Sequence, residues 1–404
     1  MMIRGRSAYV SVLLIVAGCA PAAPPPAPAP TPVVTNDTSE RSFDEAVNVA
    51  TDALVAQLQK APGPSVKTQA RRGVVIDPMV DAVSGQQTAT THLLEQRVAE
   101  RLASSHSLFD VMPFQISNLS KAQYLLTGTM TRVPSSQSGA AQVFQINLAL
   151  TELQGGTVVA QASSRARDEG LDTNPTRYYR DSPVVVKDKV VDGYIATSQT
   201  PPGSPADPVY FERIATATTV SEATIAYNNE SYQDALALYQ TAAAKPGGEQ
   251  LRVLNGIYLA SWKLRRANEA EEAFGKVVAL GLSSNNLGVK FLFNPGTTNF
   301  WSDPQVSGPY GFWLRQIARQ AVLARVCMDL VGHTSRTGTV PYNDRLSMQR
   351  ATYIKQRLEK EAPQLAPRTR ASGMGFRENL VGTGTDDARD ALDRRVEFKI
   401  SECS

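Results

Sequence analysis

Apolar and polar positions along this chain follow two periods, and the period changes several times. Phe43, Ala46, Val47, Ala50, Leu54 and Leu58 fall three or four residues apart, which predicts a helix over 43–59 with one buried face. Gly73-Val74-Val75-Ile76-Asp77 is short and uniformly apolar and reads as a buried strand. Helical spacing returns over 93–102. Strand patterns follow over 109–113, 124–131 and 143–153, and the last passes through Gln154-Gly155-Gly156 into 157–162 as a hairpin. Helices alternating with strands predict a sheet covered by helices on at least one face, within a unit at 42–207. The whole chain therefore reads as multidomain α/β.

Between Asp168 and Asp207 the periodicity fails, and Asn174-Pro175-Thr176-Arg177-Tyr178-Tyr179-Arg180-Asp181 stands out. Connections longer than about 15 residues are usually functional or disordered. Exposed Tyr and Arg would suit a partner contact; a segment folded over its own domain is the other reading. Residues 215–285 then form four helical segments. Tyr232-x-x-Ala235-Leu236-x-x-Tyr239 recurs as Glu269-Ala270-x-x-Ala273-Phe274, with Ala270 lying 35 residues after Ala235. That pattern resembles the tetratricopeptide repeat, whose period is about 34 residues. Two repeats are too few for a free-standing array, so they are expected to pack on a neighbour.

The first unit carries a further resemblance in Tyr124-Leu125-Leu126-Thr127-Gly128-Thr129 and in Leu150-Thr151-Glu152-Leu153-Gln154-Gly155-Gly156. It is similar to the small periplasmic domain of the curli secretion lipoprotein, of FlgO-type flagellar proteins and of lipoprotein activators of penicillin-binding proteins. The resemblance implies a docking module for an envelope protein that the sequence does not identify.

The last part of the chain reads as a strand at 289–293, an amphipathic helix at 312–322, a strand at 327–332, a helix at 347–358 and a closing strand at 393–400. Between them stand Gly332-His333-Thr334, Asn343-x-x-Leu346-Ser347-x-x-Arg350-Ala351, Gly373-Met374-Gly375 and Arg394-Arg395-Val396-Glu397. Together these resemble the OmpA-like peptidoglycan-binding domain, found also in Pal and MotB, over nearly all of 289–404. The resemblance implies a βαβαβ fold and a site built from Thr334, Ser335, Asn343, Leu346, Arg350 and Arg394, directed at a diaminopimelate-type stem peptide.

In that family an Asp after Gly-His-Thr answers the ligand's ammonium, and an Arg fifteen residues later answers its carboxylate. Here the Arg is Arg350, but the acidic position is Ser335, with Asp344 as the nearest other anion in sequence. A hydroxyl carries no charge. Wall binding is then expected to be weakened by about ten- to a hundredfold, and Ser335→Asp to regain about tenfold. The fold also implies that the far ends of its two central strands meet, bringing Cys327 to Cys403.

Composition narrows the picture around these domains. The net charge of +3 gives no reason to invoke nucleic acid, and residues 331–404 carry 13 Lys and Arg against 10 Asp and Glu. A basic opening, an apolar stretch over 8–16 and Val16-Ala17-Gly18-Cys19 resemble a bacterial lipobox. The implied reading is a lipoprotein signal peptide at 1–18, cleavage before an acylated Cys19, and an outer-membrane anchor facing the periplasm. A Pro/Ala-rich linker at 19–41 reads as a stalk reaching roughly 60 Å. Of the three cysteines, Cys327 and Cys403 remain, and an oxidising compartment favours their pairing over two buried thiols.

Catalysis finds little foothold. His92 and His106 have no companion ligands at metal spacing, His333 belongs to the binding motif, and no phosphate loop is evident. The chain is expected to be no enzyme and to need neither metal nor cofactor. The function implied is a non-covalent tether between outer membrane and peptidoglycan. Its alternative is a regulatory or assembly lipoprotein of a wall synthase or surface appendage, with the last domain as scaffold.

Overall fold

The computed structural model of the chain describes residues 35–404 apart from 61–70, 137–141, 184–186, 286, 381, 383, 387–388, 402 and 404. The export signal, Cys19 and the proline-rich run at 20–32 lie outside the described residues. The first elements are β1 (Thr35–Arg41), α1 (Phe43–Lys60), β2 (Arg72–Ile76), β3 (Val80–Asp81), α2 (Ala89–Ser105), β4 (Phe109–Met112), α3 (Ile116–Leu119), β5 (Tyr124–Val133), β6 (Val143–Glu152) and β7 (Val158–Arg167). They build a sheet in the order β1-β7-β6-β5-β2-β4, with β3 beside β5.

Both faces of this sheet are covered. Val74, Leu126 and Leu148 pack under α1 and α2 with Ala46, Leu54, Leu94 and Val98. Their neighbours Val75 and Leu125 face the other way, onto Val190, Tyr194 and Tyr210. A strand buried on both sides shows no polar alternation, which is why Val-Val-Ile reads as a plain apolar run. The expected hairpin is present, with Leu150 opposite Ala160. One expectation changes: Thr35–Arg41 is not stalk but a strand paired parallel to β7. Its sequence, Thr-Asn-Asp-Thr-Ser-Glu-Arg, is polar throughout, so hydrophobic pattern could not find it.

The segment at 168–207 is likewise no exposed loop. It holds α4 (Arg177–Asp181) and α5 (Lys189–Ser198), followed by α6 (Pro208–Phe211). Tyr178 is 2% exposed, donates its hydroxyl to the Arg252 carbonyl at 2.6 Å, and stacks on Tyr239 at 5.9 Å. Of the two readings of this segment, the structure bears out the one folded over its own domain, with Tyr178 packed in the chain's own core.

The four expected helices are α7 (Ile214–Asn228), α8 (Tyr232–Ala243), α9 (Leu251–Lys263) and α10 (Ala267–Ser283). The 35-residue offset has a structural counterpart. Glu230 and Arg265, at the two interhelical turns, both take left-handed φ values, 64° and 60°. Ala235 and Ala270 are fully buried, and so are Tyr239 and Phe274 one turn later.

The remaining elements are β8 (Phe291–Leu292), α11 (Pro304–Ser307), α12 (Tyr310–Ala324), β9 (Cys327–Gly332), α13 (Val340–Glu361), β10 (Thr369–Gly373) and β11 (Arg395–Ser401). They form a second sheet in the order β10-β9-β11-β8. The polar edge strand β10 was absent from the sequence pattern. Phe274 stacks on Trp313 of α12 at 5.2 Å, and Trp313 Nε1 donates to the Tyr258 hydroxyl at 3.1 Å. One apolar core therefore runs from Tyr178 through α7–α10 into the second sheet. Cys327 and Cys403 are disulfide-bonded, their Cα atoms 5.1 Å apart. No helix among the described residues is long and apolar enough to cross a membrane.

Candidate functional site

β9 and β11 are antiparallel, with Gly332 opposite Val396, so the end of one strand meets the start of the other. Gly332 is needed there because a Cβ would lie 1.9 Å from the Ser347 carbonyl oxygen of α13. This close approach brings His333, Thr334 and Ser335 up to the face of α13 that carries Asn343, Leu346 and Arg350. All of these side chains are buried.

Much of the motif ties backbone together. Asn343 Nδ2 donates to the carbonyls of Thr337 at 2.8 Å and Thr339 at 3.1 Å. The Gly375 amide donates to Ser347 Oγ at 3.0 Å, and the Thr334 amide to the Gly375 carbonyl at 2.8 Å. Leu346 is buried apolar packing.

Arg350, 0% exposed, donates from Nε to Thr297 O at 2.9 Å, from Nη1 to His333 O at 3.0 Å and from Nη2 to Asn294 O at 2.9 Å. Burial, with the nearby Arg394 charge, lowers its pKa to about 10, and Asp386 opposes that shift. It is charged at neutral pH and clasps three carbonyls on two loops. Arg394 donates from Nε to Phe293 O at 3.1 Å and lies over the Trp301 ring at 5.1 Å.

A carboxylate does reach Ser335, from a different loop. Asp386 Oδ1 accepts from Ser335 Oγ at 2.5 Å and from Arg394 Nη1 at 2.7 Å. Asp344, the anion nearest in sequence, is instead held by Arg377 in a two-pronged ion pair of 2.7 and 2.8 Å. Ser335→Asp would therefore not fill a vacancy; it would set a second carboxylate against Asp386. The expected tenfold gain does not follow from this geometry. Pattern reading passed over Asp386, although Gly382-Thr383-Gly384-Thr385-Asp386 has the look of a built turn.

His333 Nε2 lies 3.3 Å from Glu397 Oε1, and Arg395 Nε 2.8 Å from Glu397 Oε2. Burial raises the Glu397 pKa, but His333 and Arg395 outweigh it and hold the carboxyl well below its usual range. Ligand atoms of His333, Glu378 and Glu397 lie within 4.8 Å of one another. Arg395 already answers Glu397, and Lys399 Nζ lies 3.8 Å from Glu378. Each carboxylate has a cation beside it, so no metal is assigned here.

No protein-family profile and no curated protein matches the chain. Solved structures similar to it share about a quarter of its length. The peptidoglycan-associated lipoprotein from Burkholderia pseudomallei is 20% identical, with 28% of this chain and 89% of that one covered and a TM-score of 0.24. The periplasmic domain of Helicobacter pylori MotB is 18% identical, with 28% and 71% covered and a TM-score of 0.22. The cell wall anchor of the T6SS from Pseudomonas aeruginosa is 24% identical, with 28% and 76% covered and a TM-score of 0.22.

Proposed function

We propose that this chain is a periplasm-facing lipoprotein of the outer membrane that holds peptidoglycan non-covalently at the β9/β11 end of its second sheet. The observation that carries the reading is convergence: His333–Ser335, Arg350, Gly375 and Arg394 meet at one polar site that includes Asp386. A site pairing guanidinium groups with a carboxylate suits a zwitterionic amino-acid end, such as the diaminopimelate of a stem peptide. Tyr342, 42% exposed, rests its hydroxyl on the Gly296 carbonyl at 3.4 Å and offers an aromatic rim. On this reading Cys19 carries the lipid, the first sheet and the tetratricopeptide-like helices dock an envelope protein, and the chain performs no catalysis.

A second reading keeps the fold as scaffold in a regulatory or assembly lipoprotein. It draws on the complete burial of Arg350 against backbone carbonyls. Sedimentation with sacculi separates the two. The full chain carrying Cys19→Ala, so that no lipid confuses the pellet, is expected to sediment with diaminopimelate-type sacculi and to be released by free diaminopimelate. A chain that stays in the supernatant would favour the scaffold.

A further inference from the structure

We propose that Asp386 is the acidic half of the ligand clamp in this chain, receiving an ammonium group of the stem peptide from a different loop than the one bearing Ser335. The inference rests on the wall-binding reading above and names the residue that would confer its amine specificity.

The loop is built to present this carboxylate. Gly382, Gly384 and Asp386 have φ values of 66°, 75° and 57°. Asp is among the few side-chain-bearing residues that adopt the left-handed region readily. Asp393 accepts the amides of Leu380 at 2.5 Å and Gly382 at 2.7 Å, and Asp390 accepts the Asp386 amide at 3.0 Å. Two buried acids thus hold the loop, while the third reaches into the site.

The two Asp386 oxygens differ. Oδ1 takes both Ser335 and Arg394, whereas Oδ2 makes no hydrogen bond among the described residues. The side chain is 24% exposed beside an Arg394 that is 1% exposed. The unengaged oxygen of a carboxylate held by Ser335 and Arg394 is an acceptor suited to an ammonium donor. Ser335 fits this arrangement as an Asp could not. A hydroxyl donates to the incoming carboxylate; a second carboxylate would repel it.

The test uses the full chain with Cys19→Ala, free meso-diaminopimelate as soluble probe, and sacculi either untreated or with their free amines acetylated. Asp386→Asn keeps the size, the left-handed tolerance and an acceptor for Ser335 and Arg394, but removes the charge. It is expected to weaken binding to diaminopimelate and to untreated sacculi by about tenfold or more. Acetylated sacculi should bind the native and Asp386→Asn chains alike, and Ser335→Asp combined with Asp386→Asn should recover the lost affinity. Unchanged affinity in Asp386→Asn would overturn the inference while leaving wall binding standing. Tighter binding would overturn it too, since Asp386 would then be occupying the place of a ligand carboxylate. If the native chain binds no sacculi at all, the wall reading itself falls, and this inference with it.

Discussion

Arg350 separates what a motif names from what a side chain does. The resemblance casts it as receiver of a ligand carboxylate, yet three of its N–H groups are already engaged by Thr297, His333 and Asn294. Removing it would leave those carbonyls without their donor in a buried setting. We expect Arg350→Ala to cost about 3 kcal/mol or more, since each charge-assisted bond is worth roughly 1.5–3 kcal/mol and unpaired buried acceptors add to the loss. Urea denaturation measures this directly. A midpoint equal to that of the native chain would show that the clasp adds nothing to stability. Loss of wall binding in Arg350→Ala is therefore an ambiguous result, and Asp386→Asn is the cleaner probe. Asp386 itself was not read as a site residue from the sequence. Its partnership with Ser335 spans 51 residues, and no local spacing encodes such a contact.

Among the elements, most of those with buried apolar faces were legible, α5 with its buried Val190, Val191 and Tyr194 being an exception, and the polar edge strands were not. α1 announces itself by its helical period, and β2, β5 and the β6–β7 hairpin by apolar runs with a turn signal between the last two strands. β1 and β10 are polar edge strands, held by backbone bonds to β7 and β9, and carry no such signal. The β9–β11 pairing also settles the cysteines. With Ser401 opposite Cys327, the strand ends place Cys403 within bonding reach. The bridge spans a sequence separation of 76 residues. On the chain-entropy account such a loop closure stabilises by about 4 kcal/mol. Adding reductant should lower the unfolding midpoint by a corresponding amount. Two alkylatable thiols in the denatured but unreduced protein would show that the bridge does not form.

At the scale of the whole molecule, the first sheet and the helices meet over buried polar groups as well as apolar ones. Asp77, at the end of β2, accepts from the Tyr210 hydroxyl at 2.5 Å. Burial raises its pKa from 3.8 to about 7, against the pull of Tyr210 and Arg252. Burial raises Glu95 to about 7 as well. A carboxyl that keeps its proton in the folded state but releases it when unfolded favours the fold most at low pH. That stability is fully present below about 3.8 and is lost as pH rises through about 7. Asp77→Asn keeps an acceptor for Tyr210 without the charge, so it should match the native chain near pH 4 and exceed it near pH 8. Glu95 contributes to the pH dependence that remains. Melting temperatures across that range test the assignment, and equal slopes for the two proteins would refute it.

The helices and the second sheet share one core, through Phe274, Trp313 and Tyr258. The sequence determined the mixed α/β class, the succession of buried elements and the motif residues around 333–350, because each is written in short-range period or spacing. Only the tertiary structure decided that Tyr178 faces inward, that the helices join the second sheet in one core, and that the carboxylate beside Ser335 and Arg394 is Asp386 rather than Asp344. Those outcomes depend on which surfaces meet once the elements are packed. That information lies between distant segments and not along any one of them.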